Sequence, residues 1–268
     1  MGTFAARLDL AMASSLLLLL FVSPAAAQVS PPEGLYVRAD IGGAFKRDFT
    51  FRDTNPNAAN CDLCSALFPS STGSSAFFGA GVGDRLSSMF RADVTIDYLT
   101  PVKVNGHITG TVPSTGSADL DSIVGLANGY FDFDGAFPHM FGSLQPYISA
   151  GIGGARNHLG TTTGVSSRIG PFTLGGASRT NFAWALGAGV GYALTPRLTI
   201  DLAYKYVDTG DVRNNGALTF GGPSFFQLTP SKTGDVGVHA VTLGFRYELR
   251  ATITSSIRFV WRESRYFF

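Results

Sequence analysis

Large apolar residues alternate with small or polar residues between positions 182 and 206, with one interruption around Pro196. Because successive side chains of a β-strand lie on opposite faces, this period of two predicts a hairpin with one apolar face. Aromatic residues lie at or near the ends of the apolar row and aliphatic residues in its middle, which is typical of strands that cross a bilayer. The row contains Phe182, Trp184, Leu186, Ala188, Val190 and Tyr192, followed by Leu198, Ile200, Leu202, Tyr204 and Tyr206.

Six further segments show the same alternation and are predicted to be strands, which gives eight in total. They cover residues 35–45, 75–83, 90–98, 120–133, 147–155 and 236–249. In the fourth strand we assign one row to the apolar outward face, namely Ile123, Gly125, Ala127, Gly129 and Phe131. The opposite row, which we assign to the inward face, is Val124, Leu126, Asn128, Tyr130 and Asp132.

The connections between these strands alternate between long and short. The long ones, at residues 46–74, 99–119, 157–180 and 208–235, are rich in Thr, Ser, Gly and Asn and are predicted to be loops. Outer-membrane barrels have short turns on the periplasmic side and long loops outside. The sequence therefore predicts an all-β fold, an eight-stranded antiparallel transmembrane up-and-down β-barrel with long extracellular loops.

The first 27 residues are predicted to be a cleaved signal peptide. Arg7 precedes an apolar run at residues 16–22, and the alanines at 25–27 are the small residues that precede a cleavage site. The alternative is an N-terminal membrane anchor, but the run is shorter than the roughly 18 apolar residues that a spanning helix needs. We therefore expect the barrel to cover residues 28–249 and to lie in the cell outer membrane.

Residues 250–268 follow the last predicted strand. Ile253, Ile257, Phe259 and Trp261 lie at alternate positions of this segment, which ends in Phe268. A ninth strand would break the even strand count of bacterial barrels. We therefore interpret the segment as a periplasmic tail or as read-through past the usual end.

The charge balance restricts the partners that can be expected. Only 15% of the residues are charged and the formal net charge is +1, so no basic excess favours nucleic acid. The partners that we expect are outer-membrane lipid, the barrel assembly machinery and an extracellular ligand bound through the loops. No cofactor is predicted.

Five segments together carry a resemblance to a known group of proteins. They are "GLYVRADIGGAF", "FRADVTIDYL", "QPYISAGIGGA", "WALGAGVGYALTPRLTIDLAYKY" and "HAVTLGFRYEL". Their order resembles the porin-family or opacity-like outer-membrane β-barrel proteins of alphaproteobacteria. The resemblance covers most of the chain from residue 34 to Leu249 but not the loops, and it implies an eight-stranded surface barrel without implying a particular activity.

Cys61 and Cys64 form the one cysteine pair, in the first long loop. We favour a loop disulfide, because an exported chain meets an oxidising compartment. Free thiols are the alternative. A zinc site would need about four ligands, and neither a histidine nor a second cysteine pair lies nearby in the sequence.

The inward faces of the predicted strands carry charged residues of both signs. They are Arg38, Asp40, Arg91, Asp93, Asp97, Asp201 and Lys205, and Arg246 lies on the corresponding row of the eighth strand. An eight-stranded barrel is just wide enough for side chains to fill it. These charges are expected to pair, because an unpaired buried charge is costly. We interpret them as a structural salt-bridge network, with a narrow ion path as the alternative.

No constellation typical of an enzyme stands out. Hydrolysis would need a nucleophile with a histidine in reach and an orienting carboxylate. The four histidines, His107, His139, His158 and His239, show no such neighbours along the sequence. We therefore expect a non-catalytic barrel with a structural or surface-interaction role. The alternatives are a small-solute porin and a soluble periplasmic ligand-binding barrel of the lipocalin kind, which would place its apolar face inward.

Overall fold

A computed structural model of the chain describes residues 34–46, 49–53, 68–108, 113–137, 140–141, 143–220, 224–227 and 230–249. These residues form fourteen β-strands and one short helix. The elements are β1 Leu35–Lys46, β2 Phe49–Asp53, β3 Phe68–Thr72, β4 Ser74–Arg85, β5 Phe90–Ile108, β6 Ser114–Asp132, α1 Phe133–Ala136, β7 Leu144–Leu159, β8 Thr162–Ser166, β9 Gly170–Ala193, β10 Leu198–Asp208, β11 Asn214–Phe220, β12 Ser224–Gln227, β13 Ser231–Lys232 and β14 Gly237–Glu248.

Eight of the strands close into a ring. In the order β1, β4, β5, β6, β7, β9, β10 and β14, each pairs antiparallel with the next, and β14 pairs with β1. The predicted antiparallel ring of eight strands is confirmed.

Register partners followed once around the ring, from Phe45 of β1 through β14, lead back to Leu35 of the same strand, a displacement of ten residues (45 − 35). Such a stagger requires the strands to tilt, by about 35–45° in barrels of this kind.

The two ends of the ring differ. At one end, here called the turn end, short connections join β4 to β5, β6 to β7 and β9 to β10. The connection from β6 to β7 contains α1, whose four residues make a single turn. No helix among the described residues is long and apolar enough to cross a membrane.

At the opposite end, here called the hairpin end, the long strands continue past the ring. β5 and β6 pair as far as Ile108 and Ser114. The smaller strands extend the sheet: β3 pairs with β5, β8 with β6 and β9, and β11 with β9. Much of the chain predicted to be loop at residues 99–119, 157–180 and 208–235 is therefore strand.

In β5 the prediction of a loop failed because the phase of the alternation changes. Buried residues lie at odd positions up to Leu99 and at even positions from Val102, where Val102 and Val104 alternate with exposed Lys103. A register shift between Leu99 and Val102, next to Pro101, interrupts the ladder of β5 with β6. Proline cannot donate to a ladder, which is why it marks such irregularities.

Inside the ring, burial alternates with the strand period. On β6 every even position from Ser114 to Asp132 except Gly116 is buried, while neighbouring odd positions are exposed or half-buried. The inward row predicted for this strand is therefore confirmed. The outward rows carry large apolar side chains, and the inward rows carry polar ones at the turn end and apolar ones toward the hairpin end.

Candidate functional site

The lumen of the ring is polar in its turn-end half. Its buried polar and charged side chains are Asp40, Arg91, Asp93, Thr95, Asp97, Asn128, Asp132, Thr199, Asp201, Thr242 and Arg246. Arg38 and Lys205 reach the same space from β1 and β10. The structure thus brings together all seven charged residues that the sequence places on inward faces.

Arg38 joins three strands of the ring. Its Nη2 and Nε donate to the two carboxylate oxygens of Asp40 at 2.7 and 2.9 Å. Its Nη1 donates to Asp93 Oδ2 at 3.2 Å and to the Tyr130 hydroxyl at 2.5 Å. The other oxygen of Asp93 accepts a hydrogen bond from Asn128 Nδ2 at 2.8 Å. The Arg38 guanidinium therefore pairs with the carboxylates of Asp40 and Asp93, and the Asn128 amide donates to the remaining oxygen of Asp93.

Arg91 makes a bidentate pair with Asp132 near the turn end. Its Nε and Nη2 donate to the carboxylate at 2.7 and 2.8 Å, and both side chains are almost fully buried. The guanidinium carbon also lies 4.6 Å from the ring centroid of Tyr130 and 5.0 Å from that of Tyr147. Bidentate charge-assisted pairs are the strong hydrogen bonds of proteins. Asp132 is the acidic partner that the predicted network omits.

Lys205 pairs with Asp97 farther from the turn end, at 2.5 Å from Nζ to Oδ2. A cavity of about 20 Å³ lies beside this pair. Its lining includes Arg38, Asp40, Tyr130, Tyr147 and Lys205. A single water needs roughly 10–15 Å³, so this space admits one water molecule and no larger solute.

Arg246 is the least well paired cation of the lumen. Its Nη2 donates to Gln145 Oε1 at 2.8 Å and lies 4.0 Å from Asp201 Oδ1. Among the described residues, Nε and Nη1 of Arg246 and Oδ1 of Asp201 have no hydrogen-bond partner. The polar half of the lumen is thus densely bonded around Arg38 and Arg91 and sparsely bonded around Arg246.

Toward the hairpin end the lumen becomes apolar. The apolar layer consists of Ala44, Phe77, Leu99, Val124, Leu126, Ala155, Ala183, Ala185, Val207, Val238 and Ala240, none of which is more than 3% exposed. All eight ring strands contribute at least one of these side chains. The layer therefore closes the whole cross-section with groups that cannot replace the hydration shell of an ion.

Residues 209–212, here called the plug segment, fold inward above this layer. Asn157 Nδ2 donates to the backbone oxygens of Thr209 and Asp211 at 2.9 and 3.3 Å. Asn181 Nδ2 donates to the same two oxygens at 3.0 and 2.7 Å. Gly210 turns the segment with a φ of 72°, a conformation that favours glycine. Two side-chain amides on adjacent strands thus hold the plug segment in the mouth of the ring.

A second apolar cluster surrounds the plug segment. It consists of Val102, Val104, Ala118, Leu120, Leu159, Val212 and Val236. Val212 belongs to the plug segment itself, and its backbone N–H donates to the Thr233 hydroxyl at 2.8 Å. The mouth at the hairpin end is therefore packed and not open.

Asp211 connects the plug segment to two arginines. Arg179 Nε and Arg213 Nε donate to its two oxygens at 2.7 and 2.8 Å. Partial burial alone would raise the pKa of this carboxyl, but the hydrogen bonds from Arg213 and Arg179 outweigh it and lower the pKa below the ordinary value of 3.8. This ion triad is partly exposed.

The outer surface of the ring is apolar between two aromatic rows. The row at the turn end contains Phe90, Phe131, Tyr192, Phe245 and Tyr247, and the row toward the hairpin end contains Phe45, Phe78, Tyr98, Phe182, Trp184, Tyr204 and Tyr206. Between them lie exposed aliphatic residues such as Ile96, Ile152 and Leu202.

The distance between the rows can be estimated on β9. Tyr192 and Phe182 are ten residues apart on this strand, which at about 3.3 Å per residue and a tilt of about 40° separates the rows by about 25 Å. This is the height of the apolar band of outer-membrane barrels.

One serine and one histidine lie in hydrogen-bond contact on the outer surface. His158 Nδ1 is 2.9 Å from Ser178 Oγ, and Asp121 is the register partner of His158 on β6. Within the described part of the chain, no hydrogen bond or ion pair links Asp121 to His158. The neighbouring backbone N–H groups belong to the paired ladders of β6, β7 and β9, so none converges on a site where an oxyanion could form.

Several predictions concern residues outside the described ranges. These are Cys61 and Cys64, His139, the proposed signal peptide at 1–27 and the segment at 250–268. The plug segment and its two asparagines were missed by the sequence analysis. The available signal for Asn181 was the inward row of β9, because Asn181 lies two positions before buried Ala183 and four before buried Ala185.

Comparison with known families gives one match over most of the chain. The outer membrane protein beta-barrel domain family matches residues 13–248. An uncharacterised protein of Brucella abortus is 30% identical over 262 aligned residues, which cover 81% of this chain and 85% of that protein.

Two further similarities extend the comparison. A candidate adhesin of Rickettsia felis is 26% identical over 182 aligned residues, which cover 63% of this chain and 72% of that protein. Among solved structures, the outer membrane protein OprG from Pseudomonas aeruginosa is 14% identical with a TM-score of 0.48, over 81% of this chain and 97% of that one.

Proposed function

We propose that this chain, which belongs to the outer membrane protein beta-barrel domain family, is a closed transmembrane barrel that presents a binding surface outside the cell. Membership of the family places the protein in the outer membrane. In this proposal the barrel has an up-and-down topology, its turn end faces the periplasm, and its hairpin end is extracellular. Residues 1–27 direct export and are removed.

The observation that carries the proposal is the closed lumen. Its polar half leaves room for one water beside Lys205, and the apolar layer beyond it receives side chains from all eight strands. The plug segment covers that layer. The polar half, the apolar layer and the plug segment each close the lumen at a different level along the barrel axis. Such a barrel is suited to displaying a surface and poorly suited to passing solutes.

The hairpin end supports the second half of the proposal. β5, β6 and β9 project well beyond the outer aromatic row and are widened by β8 and β11 into paired sheet. Paired strands hold their side chains in place, so less freedom is lost on binding than with a flexible loop. The similarity to a candidate adhesin of Rickettsia felis is consistent with this role.

The two alternatives from the sequence are less well supported. A lipocalin-like barrel would carry its apolar row inward, whereas here Ile96 and Ile152 are more than 60% exposed on the outer face and Asp93 and Arg91 are buried in the lumen. A porin would need a hydrated path through the apolar layer. An enzyme would need more than the exposed pair of Ser178 and His158.

Two measurements on the same protein test the proposal. Purified full-length protein in planar bilayers is expected to give no steady current steps, and such steps would support a porin instead. Cells that display the chain are expected to attach to plates coated with fibronectin, laminin or heparin more than cells without it.

A shortened variant locates the surface. Val104 and Ala118 are register partners, so replacing residues 105–117 by Asn-Gly closes β5 and β6 with a tight turn. This variant is expected to show the same heat-dependent electrophoretic shift as the unmodified chain but to lose attachment. Equal attachment of both would contradict a binding surface at the hairpin end.

A further inference from the structure

The three short connections at the turn end carry exposed large apolar side chains. Leu86 and Met89 lie between β4 and β5, Phe137 and Met140 between β6 and β7, and Leu194 between β9 and β10. Their exposures are 65%, 36%, 53%, 71% and 49% respectively. Turns in water are instead dominated by Gly, Pro, Asn, Asp and Ser. We call these five side chains the turn-end patch.

Two of the three connections that carry the patch, β4 to β5 and β6 to β7, are packed against each other. Asp132 N–H donates to the Met89 backbone oxygen at 2.8 Å, which joins the end of β6 to the connection between β4 and β5. A side chain at Gly135 would collide with the backbone of Ser88, so α1 lies directly on that connection. The patch is therefore held by fixed backbone contacts, and its exposure is a property of the fold.

The patch continues the lipid-facing surface of the barrel. Phe90 contacts Phe131 edge-on at 5.5 Å, and Phe131 contacts Phe133 of α1 at 5.1 Å. These edge-on ring contacts extend from the turn-end aromatic row into the connection that carries Phe137 and Met140. The apolar surface therefore extends past the end of β6 into the connection that follows it.

The depth of the patch fits a membrane interface. Met89 directly precedes Phe90 of the aromatic row, and Leu194 directly follows Ala193 at the end of β9. The headgroup layer adds about 5–7 Å to each side of the hydrocarbon core. Met89 and Leu194, each within two residues of an aromatic-row residue, therefore fall inside that layer. Cations are also available at this level for lipid phosphates, since Arg197 lies exposed in the same connection as Leu194.

We infer that the turn-end patch is a lipid-binding surface that embeds the three short connections in the headgroup layer of the adjacent phospholipid leaflet. The occupant is the bilayer, because the patch is continuous with the band that already faces lipid. Phe137 and Met140 enter the acyl boundary, and the connections lie within the membrane interface and not beyond it. This inference extends the membrane contact of the barrel and does not depend on the binding surface proposed for the hairpin end.

Tryptophan quenching in vesicles tests the inference. Trp184 and Trp261 are first replaced by Phe in the full chain, and Phe137→Trp or Met140→Trp is added. The matched control is Thr163→Trp in the same background, because Thr163 is exposed at the hairpin end. Each protein is refolded into phosphatidylethanolamine–phosphatidylglycerol vesicles, with and without phospholipid brominated near the top of one acyl chain.

The bromolipid is expected to quench tryptophan at 137 and 140 about twofold or more over the control, and aqueous iodide is expected to quench them correspondingly less. Quenching like that of the control would place the patch in water and overturn the inference. Shielding from both quenchers would assign the patch to a second copy of the chain and would also overturn it. Since two positions are tested separately, misfolding of one variant leaves the other as the test.

Discussion

The guanidinium of Arg91 and the carboxylate of Asp132 are joined by two hydrogen bonds of 2.7 and 2.8 Å inside the ring, with both side chains almost fully out of water. They come from adjacent strands, and Arg85 approaches the same carboxylate at 3.5 Å. Asp132 therefore compensates cations that reach the lumen from two strands.

Removal of the Asp132 charge is expected to be strongly destabilising. Asp132→Asn leaves the Arg91 guanidinium buried without a counter-charge, for which a loss of about 3–5 kcal/mol of unfolding free energy is expected. Urea unfolding in detergent micelles measures this loss. The control is Asp119→Asn, at an exposed position of the same strand. Equal stability of the two variants would show that the Arg91 pair contributes nothing specific.

Lys205 and Asp97 should behave as a coupled pair. Lys205→Met alone leaves the buried Asp97 charge unpaired and is expected to cost about 3–5 kcal/mol. Asp97→Leu alone leaves the partly exposed Lys205 unpaired and is expected to cost less. The double variant removes both charges next to Phe77 and should recover most of that loss, because apolar replacements of a buried ion pair are often neutral. A double-mutant cycle in urea measures the coupling. Additive losses would mean that the two side chains do not depend on each other.

The plug segment should be released by removal of its two amides. Asn157→Ala together with Asn181→Ala deletes the hydrogen bonds that hold the Thr209 and Asp211 carbonyls. Trypsin is then expected to cleave after Arg213 faster than in the unmodified chain, while the ring keeps its heat-dependent electrophoretic shift. Asn105→Ala is the control because Asn105 is exposed at the hairpin end. Unchanged protection of Arg213 in the double variant would mean that the apolar cluster alone holds the segment.

The sequence was sufficient to predict the ring, because there the alternation of apolar and polar residues follows from one rule. In the ring, one face contacts lipid and the other the lumen, so outward apolar and inward polar residues alternate, and the eight strands and their faces could be predicted. The inward positions of Arg38, Asp93 and Lys205 followed from the same period. The ion-pair partners of these residues could not be predicted, because the period gives the face on which a residue lies but not its height along the tilted barrel.

The hairpin end could not be predicted because that rule changes there. Beyond the membrane band both faces of a strand meet water or other protein, so the outward row there contains Lys103 and Asn105. The inward row also moves from odd positions up to Leu99 to even positions from Val102, at the register shift between these two residues. With a polar outward row and a shifted phase, the segment was interpreted as loop. The plug segment was hidden for a different reason: its burial depends on backbone carbonyls that Asn157 and Asn181 satisfy, and backbone contacts leave no pattern in the sequence.

The Asp211 triad should weaken in acid. The pKa of this carboxyl is lowered in the folded protein, so its contribution to stability is complete above the ordinary value of 3.8 and is lost as the pH falls through the lower, folded value. Hydrogen exchange at the Val212 amide is expected to lose protection below pH 3.8. In Asp211→Asn this additional loss should be absent. The same acid response in both proteins would assign it to other carboxyls.

The lipid-facing rows should not tolerate charge at mid-height. Val94 is 58% exposed on β5, four residues from Phe90 of one aromatic row and four from Tyr98 of the other, so Val94→Lys places an ammonium group in the middle of the hydrocarbon core. A cost of about 2–4 kcal/mol is expected for lysine at the bilayer midplane. The fraction of heat-modifiable protein after refolding into vesicles measures it. Asn105→Lys, on the same strand but beyond the outer row, should refold normally. If Val94→Lys refolded equally well, the surface between the aromatic rows could not be in contact with lipid.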